Sequence, residues 1–118
     1  MRANEMFWIL LHDCREMSAY IDQEINNNGS NGNIELLKEY LDKTKMNDEG
    51  GLSLPIPFND APADDKLKIG VYVSEYLYCI LMIASNLFKE RRNTVVGNIF
   101  GVASRMHGNF KKWIFEID

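Results

Sequence analysis

The sequence predicts an all-α protein, a compact bundle of four to five helices with a long proline-containing loop before its central helix. Apolar residues recur at steps of three and four through most of the chain, which is the period of a helix buried on one side. All three prolines fall within residues 46–63, so this is the one long segment barred from helix. A length of 118 residues suits one core, and we expect a single helical domain over residues 1–118.

The central helix is predicted over residues 66–90, the most apolar stretch of the chain. Its middle is apolar nearly all round, so we expect other helices to surround it. Its uninterrupted apolar run, residues 76–84, falls well short of the roughly 20 residues that span a bilayer, so no membrane association is expected. Residues 7–11 are too short a hydrophobic segment for a secretion signal, which favours a cytoplasmic protein.

Three further helices are predicted around it. The first covers residues 3–26 and ends in an Asn/Gly-rich loop, and the second covers residues 34–45 with Asn33 as its cap. The fourth is expected to open at Asn93 or Thr94 and to end at Gly108, before a terminal segment, 110–117, that fits either a short helix or a strand. The small residues Gly97, Gly101 and Ser104 predict close packing of this helix on the central one.

The proline-containing segment, residues 46–63, is expected to lie across the bundle as a strap. Leu52, Leu54, Ile56 and Phe58 alternate, so one side of the strap could be apolar and buried while its acids face outward. Asp64 or Asp65 is then placed to cap the central helix. Connections of this length inside a compact domain are often functional.

No catalytic, metal or cofactor motif is present in the sequence. The only histidines, His12 and His107, have no predicted catalytic partner beyond their sequence neighbours, and Cys14 and Cys79 are expected to be buried free thiols. Helical HEPN ribonucleases carry an Arg followed after four to six residues by His, whereas Arg105 and His107 are separated by one residue. The prediction is a protein that is not an enzyme and that holds no cofactor and no metal.

Charge is distributed unevenly along the chain. The net charge is −4, but residues 1–65 carry thirteen acids against five bases, and residues 66–118 carry four acids against eight bases. Six cations of the second half could form a basic patch: Lys89, Arg91, Arg92, Arg105, Lys111 and Lys112. Because the chain is acidic overall and carries no recognisable nucleic-acid-binding module, direct binding of nucleic acid is not expected.

The acidic half predicts a surface for a basic partner. Eight carboxylates dominate residues 35–65 and are the predicted partner-binding residues: Glu35, Glu39, Asp42, Asp48, Glu49, Asp60, Asp64 and Asp65. In size, helical layout, acidity and lack of a catalytic set, the chain resembles the small immunity proteins of bacterial toxin–immunity pairs, of the colicin and contact-dependent-inhibition types. The resemblance implies binding to a cognate toxin, expected to be a basic nuclease domain, and blockage of its active site.

An alternative function remains open at this point. A helical oligomerising adaptor or regulator without catalytic activity would fit the same composition, with a homodimer contact through the Gly97/Gly101 face or through Trp113 and Phe115. The sequence contains no feature that decides between the two.

Overall fold

Four helices make up most of the molecule in the computed structural model, which describes residues Met1–Asp118. The elements in chain order are α1 (Ala3–Asn28), α2 (Gly32–Lys43), β1 (Lys45–Met46), β2 (Leu52–Ser53), α3 (Lys66–Glu90) and α4 (Thr94–Glu116). The two short strands pair antiparallel, Lys45 opposite Ser53, and are the only sheet. The predicted all-α bundle is confirmed.

The helices enclose one continuous core. α3 packs mainly against α4 and α2, and α1 packs mainly against α4 and α2. The largest fully buried side chain of the core is Tyr76, in the middle of α3. Phe7 and Met17 of α1 are also fully buried. Burial of such side chains is worth roughly 1.5–3 kcal/mol each and holds the bundle together.

The turn between α1 and α2 is shorter than the sequence predicted. Gly29 ends α1 with φ at 78°, a left-handed conformation that glycine adopts without steric cost. The cap of α2 is Asn31, whose Oδ1 accepts a hydrogen bond from the Ile34 amide at 2.9 Å, and the prediction of Asn33 is wrong. Both Asn31 and Asn33 could cap a helix by residue type. With Asn31 as the cap, Gly32 and Asn33 belong to the first turn of α2.

The central helix α3 is buried on one side only. Ile69, Val73 and Ile80 are fully buried, but Val71, Tyr78 and Met82 are 44%, 57% and 43% exposed. The expectation of a fully surrounded helix is therefore wrong, because four helices in this arrangement leave its outer face uncovered.

This helix also contains a local irregularity. Residues Ile69–Val73 form a π-helical turn between the α-helical segments Lys66–Lys68 and Ser74–Glu90. By length and composition alone, Lys66–Glu90 is apolar enough to cross a membrane, a test that the core helices of soluble proteins also pass, and 39% of its most apolar window is buried in this fold.

The last helix is continuous where the sequence predicted a break. Asn93 caps α4 by accepting a hydrogen bond from the Val96 amide at 2.9 Å, and the helix runs to Glu116 without ending at Gly108. Buried residues on both sides of Gly108, Met106 and Phe110, hold it on the core through the glycine. Tertiary packing here outweighs the unfavourable helix propensity of one glycine, about 1 kcal/mol.

The predicted glycine contact with the central helix holds at one position only. A Cβ built on Gly97 would lie 3.6 Å from Phe88 of α3, an ordinary contact distance. A Cβ on Gly101 would meet nothing within 4 Å, and Gly101 is exposed. The close approach predicted at Gly101 is therefore wrong, because Gly101 lines an open cleft beside Tyr20 of α1.

Candidate functional site

The strap between β1 and α3 is held by hydrogen bonds of its backbone and of the Asn47 side chain. Asn47 Oδ1 accepts from the amides of Glu49 and Gly51, at 3.1 and 2.9 Å, and so closes the turn between the strands. Leu52 and Ala61 exchange two backbone hydrogen bonds of 2.9 and 2.8 Å. The strap therefore folds back on itself and has a defined shape.

The strap is anchored on the bundle by its apolar residues. Leu52, Leu54 and Phe58 are buried, and the Phe58 ring packs edge-to-face against Tyr76 with 6.3 Å between centroids. Ile56 is 92% exposed, so the predicted alternation fails there. A turn closed by the Phe58 amide on the Pro55 carbonyl, at 2.9 Å, places Ile56 at its outer tip.

Three of the predicted carboxylates meet where the strap folds back. Glu49, Asp60 and Asp64 line one open cleft of about 470 Å³, and all three are exposed. We call this the acidic cleft. No group of three or more His, Cys, Asp or Glu side chains anywhere in the molecule is close enough to hold a metal ion. What the cleft offers is negative charge spread over a surface, which suits an ammonium or guanidinium group.

The other five predicted residues have different environments. Asp48 is exposed in the turn next to Glu49, and Glu35 is exposed in the first turn of α2. Asp65 is the cap of α3, with its Oδ1 accepting from the Lys68 amide at 3.1 Å. Glu39 pairs with Lys43 at 2.9 Å, and Asp42 lines a second cleft on the α1 side. None of these five residues lines the acidic cleft.

Seven of the eight predicted carboxylates have no cationic partner. Glu39 alone has a Lys or Arg nitrogen within 4.0 Å. By contrast, four of the five acids of α1 are paired: Glu24 with Arg91 at 3.1 Å, Asp22 with Lys38 at 3.8 Å, and both Asp13 and Glu16 with Arg105. Intramolecular pairing thus neutralises most acids of α1 and leaves seven of the eight predicted carboxylates without a cation.

Ion pairs also engage two cations of the possible basic patch, Arg91 and Arg105. Arg91 donates to Glu24 Oε2 and to the Gly29 carbonyl, and Arg105 is held between two carboxylates. The hydrogen bonds of Glu16 and then Asp13 raise the pKa of the Arg105 guanidinium. Arg92 lies over the Phe88 ring at 5.7 Å. Two of the six cations, Arg91 and Arg105, are therefore already paired with carboxylates of the same chain.

A second cleft, of about 420 Å³, lies between α1, the end of α2 and β1. Trp8 and Arg15 line its mouth, and Cys14 and Thr44 lie in its wall. Behind it a buried polar chain crosses the core: Cys14 Sγ lies 3.7 Å from the Tyr76 hydroxyl, which lies 2.8 Å from Thr44 Oγ1. Thr44 Oγ1 is also 2.7 Å from the Tyr40 carbonyl.

The donors in this buried network of Cys14, Tyr76 and Thr44 can be assigned from the available hydrogens. Thr44 has one hydroxyl hydrogen, which the Tyr40 carbonyl can only accept, so the Tyr76 hydroxyl donates to Thr44. Burial is the largest cause that raises the pKa of the Cys14 thiol, to about 11, against a partial lowering by its hydrogen bond with Tyr76. A neutral buried thiol is a poor nucleophile. Sequence periodicity placed Cys14 and Tyr76 on buried faces but could not show that they meet.

The histidines form no catalytic pair in this structure. His12 is exposed and His107 is half-buried, and neither imidazole makes a hydrogen bond or an ion pair with another residue. Both thiols are free, but the prediction that both are buried is wrong for Cys79, which is half-buried.

Comparisons with protein-family models, with curated proteins and with solved structures found no match for this chain. Its function is therefore argued from its own residues.

Proposed function

We propose that this protein is an immunity or antitoxin-like inhibitor that binds a cognate toxin, a basic nuclease domain, and blocks its active site. The observation that carries the proposal is the set of unpaired carboxylates around the strap. A nuclease must present Lys, Arg or His to the phosphates of its substrate, and carboxylates can occupy the same positions.

The acidic cleft supplies the centre of the proposed contact surface. Glu49, Asp60 and Asp64 line it without a cation of their own, and exposed Asp48 adjoins it. Because Asn47 and the Leu52–Ala61 hydrogen bonds hold the backbone on either side, little order has to be gained on binding. Unpaired charges on a preformed surface favour fast, electrostatically steered association.

The proposal assigns no catalytic role to any residue. Inhibition follows from occupancy: while the carboxylates contact the toxin's cations, the nucleic acid is excluded by volume and by repulsion from the acidic surface. The protein would act in the cytoplasm of a bacterium, where a nuclease toxin meets its substrate.

Co-expression with the product of the adjacent upstream gene tests the proposal. We expect the two proteins to co-purify at a 1:1 ratio and the complex to lack the nuclease activity that the released toxin shows. An upstream product without toxin activity, together with no binding to basic nuclease domains, would contradict the proposal.

The alternative, an oligomerising adaptor or regulator, is favoured by one observation. Phe115, which it would use, is 84% exposed, and Gly101 is open to solvent, whereas Trp113 is half-buried. Self-association in a protein that binds no toxin would support this function over the first.

A further inference from the structure

The second cleft, between α1, the end of α2 and β1, has the features of a small-molecule site. It shares no lining residue with the acidic cleft. Its volume of about 420 Å³ lies within the range of about 300–1,000 Å³ that is typical of ligand pockets. Such pockets combine an apolar wall with a few polar groups that fix the orientation of the ligand. The second cleft contains both.

One wall of the second cleft is a single face of α1. Four residues of α1 line it at steps of three and four: Trp8, Leu11, Arg15 and Ser18. This face extends about 15 Å along the helix, at 1.5 Å per residue. Leu11 is buried and Trp8 is 53% exposed, so the wall presents an apolar surface with an aromatic ring at one end.

The opposite wall is held by hydrogen bonds. Thr44 Oγ1 donates to the Tyr40 carbonyl at 2.7 Å and accepts from the Tyr76 hydroxyl at 2.8 Å. The next two residues, Lys45 and Met46, form β1 and pair with β2. Because both walls are ordered in the free protein, little order has to be gained when a ligand binds.

The charged groups of the second cleft have no partners within the chain. Neither Arg15 nor Lys45 lies within 4.0 Å of a carboxylate, although Asp42 lines the same cleft. The Trp8 indole N–H has no acceptor in the protein either. The cleft therefore offers three kinds of free donor against one free carboxylate, and its two cations outnumber its one anion.

We propose that the second cleft binds a small carboxylate with an apolar body. The carboxylate contacts Arg15 and Lys45, and a guanidinium can hold it through two parallel N–H···O bonds. The apolar body lies against Trp8 and Leu11. The excess of cations selects an anion over an amine, and the apolar wall selects an organic acid over inorganic phosphate. This site does not depend on the proposed toxin partner, so it is tested on the protein alone.

Titration of the purified full chain with 3-phenylpropionate tests the site. Trp113→Phe leaves Trp8 as the only tryptophan, so the fluorescence of this variant reports binding in the second cleft. We expect a saturable change with a Kd of about 1 mM or lower, as is usual for a ligand of about eleven non-hydrogen atoms. Phenethylamine carries the same ring with a positive charge and should bind at least about ten-fold more weakly, as should inorganic phosphate.

Four variants identify the groups that bind. Arg15→Gln and Lys45→Gln should each raise the Kd of 3-phenylpropionate about five-fold or more, because each removes a charge-assisted hydrogen bond. Asp42→Asn should lower this Kd about two-fold, because it removes a like charge from the cleft. The matched control is Lys111→Gln, which changes an exposed cation outside the cleft and should leave the Kd unchanged. All four side chains are exposed, and circular dichroism checks that the variants are folded.

Three results would overturn the inference. The site is absent if 3-phenylpropionate gives no saturable change up to about 20 mM. A Kd for phenethylamine or for phosphate equal to that of 3-phenylpropionate would show that the cleft does not select an organic anion. Equal effects of Arg15→Gln, Lys45→Gln and Lys111→Gln would place the bound carboxylate elsewhere on the molecule.

Discussion

Replacement of Arg91 by Met should destabilise the fold more than loss of any other single ion pair. The Glu24 carboxylate is completely buried and accepts from Arg91 at 3.1 Å, and Arg91 also donates to the carbonyls of Gly29 and Ser30. Arg91 therefore joins the end of α1 to the turn between α3 and α4. Without it a buried negative charge remains, with only the amides of Asn28 and Asn93 as donors.

The expected loss follows from this burial. Removing one partner of a buried ion pair costs about 3–5 kcal/mol, and since the Arg91 side chain is 21% exposed we expect the lower end, about 3 kcal/mol. In a chain of this length that corresponds to a decrease in Tm of roughly 12 °C. Urea unfolding followed by circular dichroism, together with a thermal scan, measures both quantities.

Two companion variants identify the cause. Lys43→Met removes the exposed Glu39–Lys43 pair and should cost at most about 0.5 kcal/mol. Glu24→Gln in the Arg91→Met background removes the stranded charge and should restore about half of the lost free energy of unfolding. If Arg91→Met costs no more than Lys43→Met, the buried charge is not held by Arg91 and the reasoning is wrong.

Two other outcomes follow from the structure. Because burial raises the pKa of the Cys14 thiol to about 11, above the usual 9.0, the folded state holds this proton more tightly than the unfolded state, and the free energy of unfolding should fall as pH rises from about 9 to about 11. Cys14→Ala should flatten that part of the pH–stability curve, and an unchanged slope would show that Cys14 does not cause it. Gly101→Ala and Gly108→Ala, which meet nothing within 4 Å, should each stabilise the protein by about 0.5–1 kcal/mol. Gly51→Ala should destabilise it, since its Cβ would lie 2.9 Å from the Ala61 carbonyl oxygen, and equal effects at all three positions in chemical unfolding would refute this distinction.

The spacing of apolar residues predicted the positions of the helices well, whereas the capping residues predicted the helix ends less well. Apolar residues at helical spacing placed all four helices, because burial of one face determines where a helix lies. Asn31 and Asn33 are equally good caps by residue type, and only the packed structure distinguishes them. Gly108 is typical of a helix end, but the helix continues past it because Met106 and Phe110 on either side are buried in the core.

The sequence could not show how the eight predicted carboxylates are grouped in space. Counting acids along the chain could not show that Glu49, Asp60 and Asp64 share one cleft, since that depends on the two hydrogen bonds between Leu52 and Ala61. Nor could it show which acids are already paired, because Arg91 and Arg105 reach Glu24 and Asp13 from positions far along the chain. The exposure of Met82 was not predicted, because an apolar residue in a helical pattern is interpreted as core.

The association rate with the cognate toxin tests most directly whether the unpaired carboxylates form the binding surface. The test variant is Glu49→Gln/Asp60→Asn/Asp64→Asn, which neutralises the acidic cleft and changes no side-chain size appreciably. The control is Glu5→Gln/Glu75→Gln/Asp118→Asn, which removes three exposed charges elsewhere. Both raise the net charge from −4 by the same three units, so they differ only in the position of the charge.

Stopped-flow association at low salt measures the rate constant for each protein. Neutralising the acidic cleft should lower the association rate constant about ten-fold and weaken its dependence on salt, while the control stays within about two-fold of wild type. Equal rate constants for the two triple variants would contradict the proposal and place the toxin contact on another surface.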